Sequence, residues 1–220
     1  MILYIIRHGE TDWNVRRLLQ GRSNAQLNES GIFLAGVTGK ALQDVPFSVC
    51  FSSPLDRAVD TAEIILKGRH VPIITDPLLY EMDFGVLEGK SLHPDHPEIE
   101  RPACLYMHRD PFVYIPPEGG ESLQEVIGRS SRFLKQLLDE PAYQDKTILI
   151  SSHGLASRAL LYAASGSGGE FWHGRVPPNC SASILESAGG SFTLKEIDRI
   201  WYGEEYLQDY YKEPEQHEDK

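Results

Sequence analysis

Six consecutive apolar residues, Met1 to Ile6, run straight into Arg7 and His8. So short and so evenly apolar a stretch is too brief for a helix and reads as a strand buried on both faces of a sheet. The same device recurs along the chain. Phe47 to Phe51 is a second such run and ends in Ser52-Ser53-Pro54, where Ser53 is expected to cap a helix and Pro54 to fill its first turn. That helix is expected from about Pro54 to Leu66. Val71 to Thr75 reads as a third strand and Thr147 to Ser151 as a fourth, followed by His153-Gly154 and a helical stretch from Leu155 to Ala164. Helical patterns near Ser30 to Leu42 and Ser122 to Leu138 lie between these strands, and Ala182 to Leu185 with Phe192 to Ile197 form a late hairpin around Gly189-Gly190. The alternation predicts an α/β domain with a largely parallel sheet. In such sheets ligands bind beyond the carboxyl ends of the strands.

A chain of 220 residues suits one sizeable domain, or one with an insertion, and its 41% hydrophobic and 24% charged residues can build a real core. The expected division is an α/β domain over 1–203, with a lid or insertion at about 90–120, and an acidic tail over 204–220. Pro94, Pro97, Pro102, Pro111, Pro116 and Pro117 crowd the lid stretch, which is longer than most structureless loops in compact domains. The net charge is −11, and from Glu204 onward seven acidic residues face two basic ones. This balance disfavours nucleic acid and an anionic membrane as main partners, because both bind by neutralisation with Lys and Arg. Anionic small molecules stay open if cations gather locally. Cys50, Cys104 and Cys180 are odd in number and show no CxxC spacing, so neither a disulfide framework nor a zinc site is indicated and a cytoplasmic setting is expected. No apolar run reaches the roughly 18 residues of a spanning helix, and neither a membrane segment nor a signal peptide is expected.

Chemistry gathers at the predicted strand ends. Arg7-His8-Gly9-Glu10-Thr11 sets a cation and an imidazole directly after the first strand, with Gly9 expected to allow close backbone approach to a ligand. Arg57 lies one turn into the helix after Ser53-Pro54, where free N–H donors welcome an anion. His153 stands between the fourth strand and its helix, a common place for phosphate sites. Glu81-Met82-Asp83-Phe84-Gly85 adds a carboxylate in a loop, and a carboxyl group beside a phosphate dianion holds its proton to higher pH, as suits a general acid. Singly, each block is equally an ordinary strand end, surface pair or solvated loop. The remaining histidines, His70, His93, His96, His108, His173 and His217, show no HExxH spacing, and no metal is expected. There is also no GxxxxGKS/T, and Gly166, Gly168 and Gly169 fit neither GxGxxG nor GxSxG.

Taken in order, Arg7-His8-Gly9-Glu10-Thr11 with Trp13-Asn14, Ser52-Ser53-Pro54-Leu55-Asp56-Arg57-Ala58 with Thr61-Ala62, Glu81 to Gly85 with Glu88-Gly89, Gly119-Gly120-Glu121-Ser122 and Ser152-His153-Gly154 form a pattern. The chain resembles the histidine phosphatase superfamily, which includes the cofactor-dependent phosphoglycerate mutases, from the first strand to about Ile197. The resemblance implies a three-layer α/β/α fold with a mostly parallel central sheet. It also implies a phosphohistidine mechanism: His8 as nucleophile, Arg7, Arg57 and His153 on the phosphoryl oxygens, and Glu81 as the acid that protonates the leaving oxygen and later takes a proton from water. Asn14 matches a position that contacts the phosphoryl group, and Gly154, Arg22 and Arg109 complete the expected phosphate and substrate contacts. Arg7 and Arg57 are expected to lower the pKa of His8 and keep it neutral. No cofactor and no metal is implied, since phosphoryl transfer needs positioning and charge neutralisation above all.

The expected activity is a metal-independent phosphomonoesterase acting on a small phosphorylated metabolite. A phosphoglycerate mutase-type phosphotransferase is the alternative, but the adjacent Arg pair of the mutase substrate segment is replaced by Met107-His108-Arg109-Asp110-Pro111. A non-catalytic phospho-ligand binding protein is a second alternative, whose expected mark is loss of His8, Arg57, Glu81 or His153. All four are present. The oligomeric state is not legible in the sequence.

Overall fold

The computed structural model describes residues 1–93, 98–99, 111–166 and 169–208. Six strands among them form one sheet: β1 (Ile2–Arg7), β2 (Phe47–Ser52), β3 (Ile73–Thr75), β4 (Thr147–Ser152), β5 (Ala182–Ala188) and β6 (Ser191–Arg199), in the order β3-β2-β4-β1-β5-β6. β3, β2, β4 and β1 are parallel, and β5 and β6 add an antiparallel edge beside β1. The sheet is therefore mixed but mostly parallel.

Each short apolar run faces two ways, because successive strand side chains point to opposite faces. Leu3, Ile5, Val49, Phe51, Ile148 and Ile150 pack on one side against Phe133, Leu137, Leu160 and Leu161, which belong to α4 (Leu123–Asp139) and α5 (Gly154–Ala164). Ile6, Cys50 and Leu149 pack on the other side against Leu42, Ala62 and Ile65, at the end of α2 (Glu29–Ala41) and in α3 (Asp56–Ile65). Helices on both faces of a central sheet make the three layers. At about 25 cal/mol per Å², burying such side chains is what holds the layers together.

Local chemistry sets the helix ends. The Asn28 side chain accepts from the N–H of Gly31 and starts α2, and Ser122 with Glu125 forms a reciprocal capping box at α4. A four-residue helix that the sequence pattern does not predict, α1 (Asp12–Val15), is held by the same kind of box between Thr11 and Asn14. β3 is shorter than expected because Pro72 has no N–H for the ladder; its carbonyl instead accepts from Cys50 N at 2.9 Å. The helix expected from Pro54 begins as α3 at Asp56, with Leu55 as its cap residue and no side-chain cap bond. Ser53 is thus not the cap, and its hydroxyl is used elsewhere. Beyond β6, the Tyr206 ring packs at a tilt against Phe33, 5.2 Å between centroids, and Gln208 donates to the carboxylate of Glu10.

Register decides where the chemistry falls. Arg7 pairs with Ser152 and Ser52 with Ser151, so β1, β4 and β2 end level with one another. The next residue on each strand is His8, His153 and Ser53.

Candidate active site

Two backbone bonds extend the strand ends by one step: His8 N donates to Ser152 O and Ser53 N to Ser151 O, both at 2.9 Å. The rings of His8 and His153 come to 5.2 Å between centroids, both buried. His8 Nδ1 lies 2.7 Å from the carbonyl of Gly9. A carbonyl only accepts, so the proton sits on Nδ1 and Nε2 keeps its lone pair. Burial, then Arg57, then Arg7 push the pKa of His8 well below 6.5. The expected direction holds, but desolvation outranks the two cations as its cause. His153 is driven the same way by burial first, then by Arg57, His8, Arg129 and Arg7.

The two guanidiniums are fixed by carbonyl groups. Arg7 Nη1 donates to Pro177 O at 2.5 Å. Arg57, fully buried, donates from Nη1 to Ser23 O and from Nη2 to Gly21 O, both at 2.7 Å. Burial lowers its pKa to about 10, which leaves it cationic at neutral pH. Glu81 reaches the first turn of α5: Oε2 accepts from Leu155 N at 3.2 Å, and Oε1 from Ala156 N at 3.0 Å and from Met82 N at 2.9 Å. Gly154 opens that turn, and a Cβ there would lie 3.8 Å from both Arg7 Nε and Glu81 Oε2. Arg7, His8, Arg57, Glu81, His153 and Gly154 are therefore brought together from four separate sequence blocks.

Asn14 joins them through a residue that sequence reasoning missed. Its Oδ1 accepts from Thr11 N at 3.1 Å and from Asn179 Nδ2 at 3.4 Å, and Asn179 Nδ2 also donates to His8 O at 2.9 Å. The only signal for Asn179 was its place after Pro177-Pro178, just before β5. Arg22 is brought near by its backbone, since Arg57 holds the carbonyls on either side of it. Its guanidinium, however, faces Glu121 at 3.5 Å and Asp83 at 3.6 Å and lies over the Tyr80 ring. Arg109 and most of the stretch expected to be a lid lie outside the described residues.

The sequence marks Glu88 only as part of a motif, yet its carboxylate accepts from Arg22 N and Ser23 N at 2.8 Å, from Ser23 Oγ at 2.6 Å and from Phe84 N at 3.2 Å. It binds the loop that Arg57 holds from the other side. Gly9 has a different use from the one expected. A Cβ there would sit 2.7 Å from Gly31 O, so the missing side chain makes room for α2 rather than for a ligand. Among the described residues no group of three or more His, Cys, Asp or Glu is arranged to hold a metal ion, and no helix is long and apolar enough to cross a membrane.

Known proteins resemble this chain in sequence and in fold. The model of the histidine phosphatase superfamily, branch 1, matches residues 3–199. A Bacillus subtilis protein named "uncharacterized phosphatase PhoE" is 33% identical over 194 residues, covering 88% of this chain and 92% of its own. A Proteus mirabilis protein named "probable phosphoglycerate mutase GpmB" is 34% identical over 164 residues, 74% of each chain. The solved structure of Bacillus stearothermophilus YhfR superposes with a TM-score of 0.82 at 31% identity, over 90% of this chain and 97% of that one. With a family model spanning nearly the whole described fold, the chain belongs to the histidine phosphatase superfamily, branch 1.

Proposed function

We propose that this protein is a phosphatase of small phosphorylated metabolites that works through a phosphohistidine on His8, without a metal. The observation that carries the reading is the Nδ1 bond of His8 to Gly9 O, which leaves a neutral ring's Nε2 lone pair beside Arg7, Arg57 and His153. In the first step Nε2 attacks phosphorus, the P–O bond to the alcohol breaks, and Glu81 gives its proton to the departing oxygen. In the second, water attacks phosphorus, the P–N bond breaks, Glu81 takes the water's proton, and inorganic phosphate leaves. Arg7, Arg57 and His153 hold the phosphoryl oxygens, while Asn14 and Gly154 border the same position. Arg22 and Arg109 are proposed substrate contacts. The acidic net charge supports a small-molecule substrate over nucleic acid or an anionic membrane. Buried, unpaired Cys50 and Cys180 suit a reducing cytoplasm.

Similarity to the protein named a phosphoglycerate mutase favours a second reading, in which the phosphoryl group passes to a second substrate oxygen instead of water. Phosphate release from a panel of phosphomonoesters, with EDTA present, separates the two. We expect turnover that resists EDTA and is lost in His8→Ala, which has no nucleophile to carry the intermediate. Substantial activity in His8→Ala overturns the phosphohistidine route. Interconversion of phosphoglycerates that needs a bisphosphorylated primer, without phosphate release, establishes the mutase.

A further inference from the structure

We infer that Ser53 is a positioning residue that fixes the tautomer of His153, so that the buried Nδ1–H of that ring is offered to the phosphoryl group as a hydrogen-bond donor. The inference rests on the phosphoryl site proposed above and assigns its geometry to a hydroxyl just past the end of β2. Ser53 and His153 are both fully buried, and Ser53 Oγ lies 2.7 Å from His153 Nε2. The other contact of this oxygen among the described residues is Leu55 N at 3.4 Å. That N–H can only donate, so it occupies a lone pair and leaves the hydroxyl proton to be placed. His153 Nε2 is the acceptor at hand.

A hydroxyl that donates to Nε2 puts the single ring proton on Nδ1, because the bond at one imidazole nitrogen sets the state of the other. The ring is neutral, since burial and the surrounding cations disfavour its charged form. Nδ1 is buried and has no partner among the described residues. The opposite tautomer would leave the serine proton without an acceptor among the described residues and turn a lone pair, rather than an N–H, toward phosphoryl oxygens. His8 carries the same tautomer for the opposite purpose. There the carbonyl of Gly9 holds the proton back and exposes the lone pair, whereas at His153 the serine holds the lone pair back and exposes the proton. One ring attacks and the other donates.

The test is a long-range proton–nitrogen correlation spectrum of 15N-histidine-labelled protein at pH 7, with His153 assigned by its disappearance in His153→Gln. We expect a protonated Nδ1 at His153 in the wild type and in Ser53→Thr, and a shift toward protonated Nε2 in Ser53→Ala. In step with it, kcat/KM for p-nitrophenyl phosphate should fall about 10–100-fold in Ser53→Ala, by analogy with removing the partner that orients a metal-bound histidine, and recover in Ser53→Thr. A wild-type His153 protonated on Nε2 overturns the inference, as does an unchanged tautomer in folded Ser53→Ala. Should Ser53→Ala not fold, the wild-type spectrum decides alone. The spectrum needs no turnover, so an inactive wild type would sink the proposed reaction while leaving the tautomer readable.

Discussion

Glu81 and Glu88 are seven residues apart and do different work with the same chemical group. The carboxyl group of Glu81 is held by the first turn of α5 beside Gly154, and in the proposed mechanism its protonated form supplies the leaving oxygen's proton. Glu81→Gln should slow hydrolysis of an alkyl phosphate by about 10²–10⁴-fold and of p-nitrophenyl phosphate far less, since the phenolate leaves without protonation. Steady-state rates on both esters check this, and equal slowing would argue against an acid role. Glu88 is gripped by backbone and hydroxyl donors from the Arg22–Ser23 segment and Phe84, and a Cβ at Gly21, which has a φ of 53°, would collide with it. Glu88→Gln sets an NH₂ against those donors, so stability should drop by about 1–3 kcal/mol. Because the same loop holds Arg57, kcat should fall too; urea midpoints and rates on one preparation read both. The sequence marked Glu81 by its place after the third strand. It could not mark the load on Glu88, because the Arg22 and Ser23 donors lie 66 and 65 residues earlier and meet it only in the fold.

At the scale of elements, α2 bears on the loop that carries His8. A Cβ on Gly31 would lie 2.2 Å from Glu10 O and 2.6 Å from Glu10 N, backbone atoms that cannot swing aside. Five residues further along the same helix, Gly36 is exposed and a Cβ there would meet nothing within 4 Å. Gly31→Ala should therefore destabilise by about 1–3 kcal/mol and depress turnover, whereas Gly36→Ala should stabilise by about 0.5–1 kcal/mol with activity unchanged. Chemical denaturation of the two variants tests the pair, and similar effects from both would refute the packing argument. The strands were legible because short apolar runs between polar breaks leave few other structures. The α2, α4 and α5 helices were legible within a residue or two of each end. Ser53 shows where local reading stops. A serine before a proline looks like a helix cap, but a histidine 100 residues later competes for its hydroxyl and wins.

Across the whole molecule, two buried imidazoles couple stability to pH. Both His8 and His153 have folded values well below the 6.5 of an exposed ring. Above that pH neither folded nor unfolded chain binds the extra protons, so the two rings leave stability unchanged. As the pH falls below about 6.5 the unfolded chain takes them up and the folded one does not, so stability declines by up to about 1.4 kcal/mol per pH unit for each ring. Urea unfolding at pH 7, 6 and 5 should show that decline, and His153→Gln should remove about half of the histidine contribution. A wild-type profile no steeper than that of His153→Gln would contradict it. The overall architecture and the blocks that build the site could be read from residue order, since level strand ends bring His8 and His153 side by side. Asn179 could not be read, because its importance comes from β5 turning back beside β1. The tie between Glu81 and α5 has a further consequence. Leu155 and Ala156, whose N–H groups hold that carboxylate, follow His153 by two and three residues, so the proposed proton donor is hydrogen-bonded to the same short covalent segment that carries the proposed phosphate holder. On the proposed mechanism the site works as a jig of fixed span, cut to one bridging oxygen and indifferent to what is attached beyond it. Choosing among alcohols is then a task for the rim, and a new rim could retarget the same machine without resetting it.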